Sequence, residues 1–491
     1  MPKPTDTYLG SRGFPQADYV MAAWQQILLI FVILGLVGTV FLFGFSSVFM
    51  RLNVVFTIFF LAATLYRFLL IDLSLHSHDQ IQVADEDLRE PPGGWPRYVI
   101  QVPLYREAHA LPHLVKSLGA LDYPKDKLVI QLLVEADDEE TKGAIAKLTI
   151  APPFTVVNIP VSQPRTKPKA CNVGLAQAEG DFLVIYDAED RPDPEQLKRA
   201  VIAFRRCPDE VVCIQAKLNF FNTDRNLMTR CFTAEYSMWF DLCLPGLDHL
   251  KAPIPLGGTS NHFRLNVLKR LQGWDEFNVT EDCDLGLRLF VRGYQTRMLD
   301  STTWEEACPK VGPWIRQRSR WVKGYAQTYL VHTRDPIALH QRLGLKNSLH
   351  FHMLIGGSVF SQLLSPFYWL LVILWMILHS PLQAKLLAAV TAIAPEWSVS
   401  HGMAHMLTPD GLSEFFPGAV FAMAALCLFV GNFMMVYSCT IACVVKGFGR
   451  VAKYTPLMII YWIIMSIAAW KGVLQLLWAP HFWEKTQHHE L

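Results

Sequence analysis

"FLVIYDAEDRP" (182–192) sets a short apolar run directly against Asp187, Glu189 and Asp190, with Arg191 and Pro192 behind them. An apolar run of this length, closed by turn-forming residues, reads as a strand buried on both faces of a sheet. Three carboxylates at its mouth repel one another, and that cost is offset by water in an open turn, by a metal ion or by a cationic group of a substrate. The flanking sequence repeats the design. "RYVIQVPLY" (97–105), "KLVIQLLVEADD" (127–138) and "FTVVNIPV" (154–161) read as strands. "AHALPHLVKSLGAL" (108–121), "EETKGAIAKL" (139–148) and "KPKACNVGLAQAE" (167–179) read as helices. Strands alternating with helices predict an α/β domain with a mostly parallel sheet covered on both faces. Ligands of such sheets bind at the carboxyl ends of the strands, which is where the three carboxylates fall.

The surrounding chain has the character of a membrane protein. Of its 491 residues 52% are hydrophobic, fourteen are Trp, and the formal net charge is only +1. The charges form no Lys/Arg-rich run, which argues against a nucleic-acid partner. Residues 24–50 and 52–75 are each apolar for long enough to cross a bilayer, with Arg51 as the expected break of a hairpin. From about 97 to 335 no comparable run occurs. The membrane signal returns at 349–379, with a break expected at Pro366, then at 417–445 and 454–478.

The expected organisation is therefore an N-terminal cytoplasmic segment (1–22), a transmembrane hairpin (23–75) and a cytoplasmic domain (76–335). An interfacial segment (336–348), three membrane stretches (349–479) and a tail (480–491) complete it. Lys446, Arg450 and Lys453 mark the loop between the last two stretches as cytoplasmic. Two stretches before the domain and three after it would leave the C-terminus outside, unless one of the later stretches does not cross fully. Ten Cys are scattered without a CxxC pair or zinc spacing, as expected of reduced packing residues. The sequon Asn278-Val279-Thr280 would then face the cytoplasm.

Other polar clusters accompany the first. "VPLYREA" (102–108) carries Tyr105 and Glu107 out of a strand, "VEADDEET" (134–141) is a second acidic strand exit, and "NVTEDCDLG" (278–286) is a third. One such exit is an ordinary solvated turn or helix cap. Three in one domain suit a divalent cation, and oxygen ligands without His or Cys favour Mg²⁺ or Mn²⁺ over Zn²⁺. Mg²⁺ commonly completes its shell with substrate phosphates, so a diphosphate is the natural partner, and Lys167 and Lys169 offer it further neutralisation. No Gly-x-x-x-x-Gly-Lys-Ser/Thr motif points to a P-loop. "WIRQRSRWVKGY" (314–325) interleaves Arg and Lys with aromatics, and reads equally as an interfacial anchor or as a surface on which a sugar ring stacks.

Together these residues resemble the membrane-embedded, processive family-2 glycosyltransferases: cellulose, curdlan, chitin and hyaluronan synthases. That family carries an Asp-rich metal motif, a later TED motif and Q-x-x-R-W, matched here in order by Asp187-Ala188-Glu189-Asp190, Thr280-Glu281-Asp282 and Gln317-Arg318-Ser319-Arg320-Trp321. The resemblance implies a Rossmann-like glycosyltransferase-A domain, cytoplasmic and inserted between transmembrane α-helices in the plasma membrane of a bacterium. It implies a UDP-sugar donor, Mg²⁺ or Mn²⁺, a growing polysaccharide as acceptor, and room for accessory secretion subunits.

Residue by residue, the resemblance places Tyr105 and Glu107 in the uridine pocket, with Asp137 or Asp138 reading the uracil and Lys169 near the diphosphate. Asp187 would contact the nucleotide–metal unit, with Glu189 or Asp190 as the second metal ligand. Asp282, flanked by Thr280 and Glu281, would be the general base of an inverting transfer. Gln317, Arg320 and Trp321 would hold the diphosphate and the acceptor sugar, and Trp483, Lys485 and Thr486 of "FWEKTQHH" (482–489) would form a gating segment. "GGTSNHFR" (257–264) replaces the acceptor loop of cellulose synthases, which turns the expectation away from cellulose as product. The leading expectation is processive β-glucan synthesis from UDP-glucose. The alternatives are a UDP-N-acetylglucosamine polymerase, single transfer to a lipid-linked acceptor, and a degenerate transporter or receptor.

Overall fold

A computed structural model describes residues 14–77, 79–148, 151–378, 380–393 and 418–484. Its centre is an eight-stranded sheet: β1 (Tyr98–Leu104), β2 (Leu128–Glu135), β3 (Phe154–Ile159), β4 (Phe182–Ile185), β5 (Arg191–Pro192), β6 (Val211–Phe220), β7 (Asn261–Arg264) and β8 (Gln295–Glu305). The order across the sheet is β3-β2-β1-β4-β7-β6-β8-β5. Parallel pairing sets Tyr98 opposite both Leu128 and Phe182. Alternate residues of each strand point to opposite faces, and both faces are covered. Ile100, Val102 and Val184 meet Leu114, Leu118, Val201 and Phe204 of the helices Leu111–Gly119 and Gln196–Arg206. Val99, Leu183 and Cys213 meet Leu175 of Lys167–Gln177 and Leu285 and Leu289 of Glu281–Val291.

The sheet is more mixed than the alternation of strands and helices predicts. The four-residue β7 runs antiparallel between β4 and β6, with Phe263 opposite both Leu183 and Cys213. Two reversals through β7 leave β6, and its parallel neighbour β8, pointing the same way as β4. The carboxyl ends of β1, β2, β4 and β8 and the start of β7 therefore share one edge. That edge holds the site.

Among the described residues, five helices are long and apolar enough to cross a membrane. The first two, Ala23–Phe43 and Phe45–His76, break at Gly44 and not at Arg51. Gly44 takes φ +77°, a conformation that costs a side-chain-bearing residue energy, while Arg51 continues the helix with its guanidinium over the Phe43 ring. Pro366 does not interrupt Gly357–Leu378. Before it, Pro336–Phe351 kinks at Gly344 (φ +70°). The domain sits closely on the second helix: a Cβ at Gly246 would come within 2.1 Å of the Leu70 carbonyl oxygen.

The last apolar helix, Met458–Gln475, lies against the domain's helix Val311–His332, and both its ends rest on the domain. Just before it, Tyr454 lies under the Arg230 guanidinium at 4.5 Å. Just after it, Lys323 Nζ donates to the Ala479 and Phe482 carbonyls. The N-terminal segment is also tied to the domain, with the Ala17 N–H donating to Asp275 (2.6 Å) and Arg334 donating to the Gln16 carbonyl (2.8 Å).

Candidate active site

The turn after β4 sorts its carboxylates into two groups. Asp190 is 1% exposed and folds back into the turn, accepting from the Asp187 N–H at 2.7 Å, while its own N–H donates to the Asp187 carbonyl. Thr259, two residues before β7, brings its hydroxyl against both the Asp190 carboxyl and the Ile185 carbonyl. Burial, with Asp187 and Glu189 alongside, pushes the Asp190 pKa well above the usual carboxylate range. Asp190 is thus spent on the shape of the turn, although its Oδ1 has no partner among the described residues. Asp187 and Glu189 instead line a cavity of about 1460 Å³.

The two lysines separate in the same way. Lys169 is turned away from the cavity, with Nζ 3.3 Å from both Glu135 oxygens and 2.8 Å from the Pro160 carbonyl. Lys167 reaches it, donating to Asp187 Oδ1 and, at 2.7 Å, to the Gly258 carbonyl. Burial opposes its charge, but the Asp187 and Glu281 carboxylates outweigh burial and raise its pKa.

Beyond the end of β1, Tyr105 and Glu107 line the cavity. Arg165 bridges the Tyr105 hydroxyl (3.2 Å) and Asp137 (2.7 Å). Asp138 is a structural clamp: one oxygen caps the helix Glu139–Lys147 through the Thr141 N–H, and the other accepts the N–H of Arg106, whose φ is +54°.

The TED motif straddles a helix start. Thr280 precedes Glu281–Val291 and packs under Gly324, where a Cβ would come within 2.3 Å of it. Glu281 is buried, and Asp282 opens to the cavity with Oδ1 accepting the Cys283 N–H at 2.7 Å. Burial pushes Asp282 up to about 6 and, with Asp282 beside it, Glu281 higher still. Val311–His332 supplies the third motif. Gln317, Arg320 and Trp321 line the cavity, and Gln317 Oε1 is buried without a partner among the described residues. Arg318 lines the cavity too, where it donates to Glu235 and, at 3.0 Å, to the Tyr461 hydroxyl. Arg320 stacks on the Trp483 ring at 4.2 Å and is drawn on by Glu281, Asp187, Asp282 and Glu189. Lys485 and Thr486 lie outside the described residues.

Arg165, Thr259 and Glu305 belong to the site without a motif to announce them. Glu305 ends β8 and lines the cavity, its pKa raised well above the usual range by burial and by Asp190, Glu189 and Asp187. Its only sequence signal is "TWEEA", which any solvated strand end could show. Among the described residues no three His, Cys, Asp or Glu side chains converge as a complete metal cage. Two cavity-facing carboxylates, Asp187 and Glu189, fit a hard cation whose shell is finished by water and a diphosphate.

The cavity does not stop at the sheet edge. It continues past Trp321 and Glu235 between the apolar helices, to Tyr66, Tyr368, Trp375 and Phe421.

Residues 182–389 match the family model described as "Glycosyl transferase family group 2". The probable glycosyltransferase YdaM of Bacillus subtilis (strain 168) is 25% identical over 232 residues, covering 47% of this chain and 55% of that protein. The probable glucomannan 4-beta-mannosyltransferase 1 of Arabidopsis thaliana is 25% identical over 264 residues, covering 52% and 48%. The chain thus spans about half the length of the curated relatives it matches. The mannosyltransferase PcManGT from Pyrobaculum calidifontis, solved in complex with GDP-Man and Mn²⁺, shares the fold, with a TM-score of 0.50, 19% identity and coverage of 88% of this chain and 99% of that one. The sheet, its edge of carboxylates and these matches define a glycosyltransferase-A fold. Residues 182–389 thus resemble a family-2 glycosyltransferase, in a chain whose described residues include five helices long and apolar enough to cross a membrane.

Proposed function

We propose that the protein transfers a hexose, with inversion, from a nucleoside-diphosphate sugar to a growing β-linked glycan that leaves between its own membrane helices. The observation that carries this reading is the continuity of one cavity from Asp187, Glu189 and Asp282 into the apolar helices. Its inner half is charged. Its outer half offers aromatic faces for stacking and Ser, Thr, Asn and Gln for hydrogen bonds, a lining suited to a sugar chain.

In this reading Asp282 takes the proton of the acceptor hydroxyl as that oxygen attacks the anomeric carbon. The bond from that carbon to the diphosphate breaks, and the leaving diphosphate carries away the electron pair. Lys167 and Arg320 offset its charge, while Gln317 and Trp321 hold the sugar units. Tyr105, Glu107 and Asp137 hold the nucleobase. Asp187 and Glu189 would hold Mg²⁺ or Mn²⁺, which would supply Lewis-acid stabilisation of the leaving diphosphate. Asp190 and Asp138 keep the turns that present these groups. Trp483, stacked on Arg320, closes the site from the tail.

For the membrane, we propose four crossings, 23–43, 45–76, 357–378 and 418–445, with Met458–Gln475 lying along the interface. This arrangement puts both chain ends on the domain's side and accommodates the contacts of Ala17 and Phe482. Lys446, Arg450 and Lys453 on that side support a cytoplasmic domain in a bacterial plasma membrane. UDP-glucose is the first donor proposed. GDP-mannose is the second, favoured by relatives named as glucomannan mannosyltransferases. Incubation of the purified full chain with labelled UDP-glucose, UDP-N-acetylglucosamine and GDP-mannose, followed by product sizing, tests the reading. Products extended by a single sugar from every donor would defeat the processive part.

A further inference from the structure

Lys167 is one helix position pair away from the lysine that the family pattern highlights, yet it is the one that enters the site. Its ammonium has three N–H groups. One meets Asp187 Oδ1 and one meets the Gly258 carbonyl at 2.7 Å, and the side chain lines the cavity. Asp187 is also one of the two carboxylates open to a divalent cation. Gly258 in turn abuts Asp282, whose Oδ2 would lie 3.5 Å from a Cβ placed there. Lys167 therefore stands between the metal-side and base-side carboxylates and touches an oxygen that a metal would need. Its side chain is only 13% exposed, so water screens the pair weakly. The flexible four-carbon stem lets the ammonium move by a few ångströms without moving the helix.

We propose that Lys167 is a resident counter-cation: it holds Asp187 in the metal-free protein, competes with the divalent cation for that carboxylate, and transfers to the donor's diphosphate when cation and nucleotide arrive together. The proposal rests on the reading of the site as a nucleoside-diphosphate site, but its test is a binding measurement and is independent of any polymer product. Lys167 would thereby make the cation bind weakly alone and well with nucleotide, so that the site is completed only when both are present.

The test is a Mn²⁺ titration of the full chain in detergent, read by the electron paramagnetic resonance signal of free Mn²⁺, for wild type, Lys167→Met, Lys167→Gln and Lys167→Arg. Without nucleotide, Lys167→Met and Lys167→Gln are expected to bind Mn²⁺ roughly tenfold tighter, the order set by one charge-assisted hydrogen bond no longer forfeited. Lys167→Arg, which keeps the charge, should stay near wild type. In EDTA, calorimetry with UDP and with GDP should show the two neutral variants losing affinity for whichever nucleotide wild type binds. Melting temperatures identify any variant that has failed to fold, and either neutral variant suffices. Mn²⁺ affinity that is unchanged or weaker in the folded neutral variants would overturn the proposal. So would tighter Mn²⁺ binding by Lys167→Arg equal to theirs, or metal-free nucleotide affinity untouched by the loss of charge.

Discussion

Replacing Thr259 by Val removes a hydroxyl and leaves the shape of the side chain. Among the described residues the Asp190 carboxyl then keeps only the Asp187 N–H as partner, with its Oδ1 already unpartnered there and the residue 1% exposed. Losing one hydrogen bond to a buried carboxyl costs about 1–3 kcal/mol. Asp190 and Thr259 together fix the turn that presents Asp187 and Glu189, so this energy is drawn from their alignment. Expressed in the transition state, it lowers kcat/KM for the donor between about 5-fold and about 160-fold. The assay is initial-rate kinetics of nucleotide release at varied donor and Mn²⁺ for wild type, Thr259→Val and Thr259→Ser, with thermal melting alongside. Thr259→Ser, which restores the hydroxyl, should recover most of the loss. The reasoning is refuted if Thr259→Val melts earlier but retains wild-type kcat/KM, or if Thr259→Ser is as impaired as Thr259→Val.

Other expectations can be checked in the same assay. Asp282→Asn should abolish transfer while calorimetry still detects nucleotide binding. Because burial raises the Asp282 pKa to about 6, the base is protonated below that pH. Activity should therefore fall about tenfold per unit as pH drops below it and level off above it. Removal of divalent cations with EDTA should stop transfer, and Mn²⁺ or Mg²⁺ should restore it, with recovery read as nucleotide release. Trp483→Ala, which strips the ring from Arg320, should raise the donor KM several-fold and leave the melting temperature within a few degrees, since the ring is only partly buried.

The parts of the site that were legible in the sequence are those where one residue type in one local pattern decides the outcome. "FLVI" followed by carboxylates reads as a buried strand reaching a polar edge, and β4 ends there. The TED and Q-x-x-R-W motifs carry their own spacing, and the structure brings both to the same cavity. What was illegible depends on directions that spacing alone leaves open. Residues two apart on a helix point to nearly opposite sides, so Lys167 and Lys169 look alike in sequence and separate completely in the fold. Within one four-residue turn, hydrogen bonding alone distinguishes Glu189, which faces the cavity, from Asp190, which the turn consumes.

Longer-range features were further out of reach. β7 is four residues, "NHFR", with no strand pattern of its own; it is a strand because β4 and β6 flank it. Glu305 joins the site only because that antiparallel strand restores the direction of β6 and β8. Hydropathy made Met458–Gln475 look like a crossing, yet its apolar residues also serve to bury Tyr461, Met465 and Ala469 against the domain. Gly472 permits that contact, since a Cβ there would fall 2.3 Å from the Ser319 carbonyl oxygen.

The central claim is that one cavity both joins sugars and conducts the product. The most direct measurement is the size and anomeric configuration of the product made by the purified full chain from labelled UDP-glucose or GDP-mannose. The account predicts a long, β-linked polymer from one of these donors, absent with Asp282→Asn. Products lengthened by a single sugar, or an α-linkage from an α-linked donor, would contradict it.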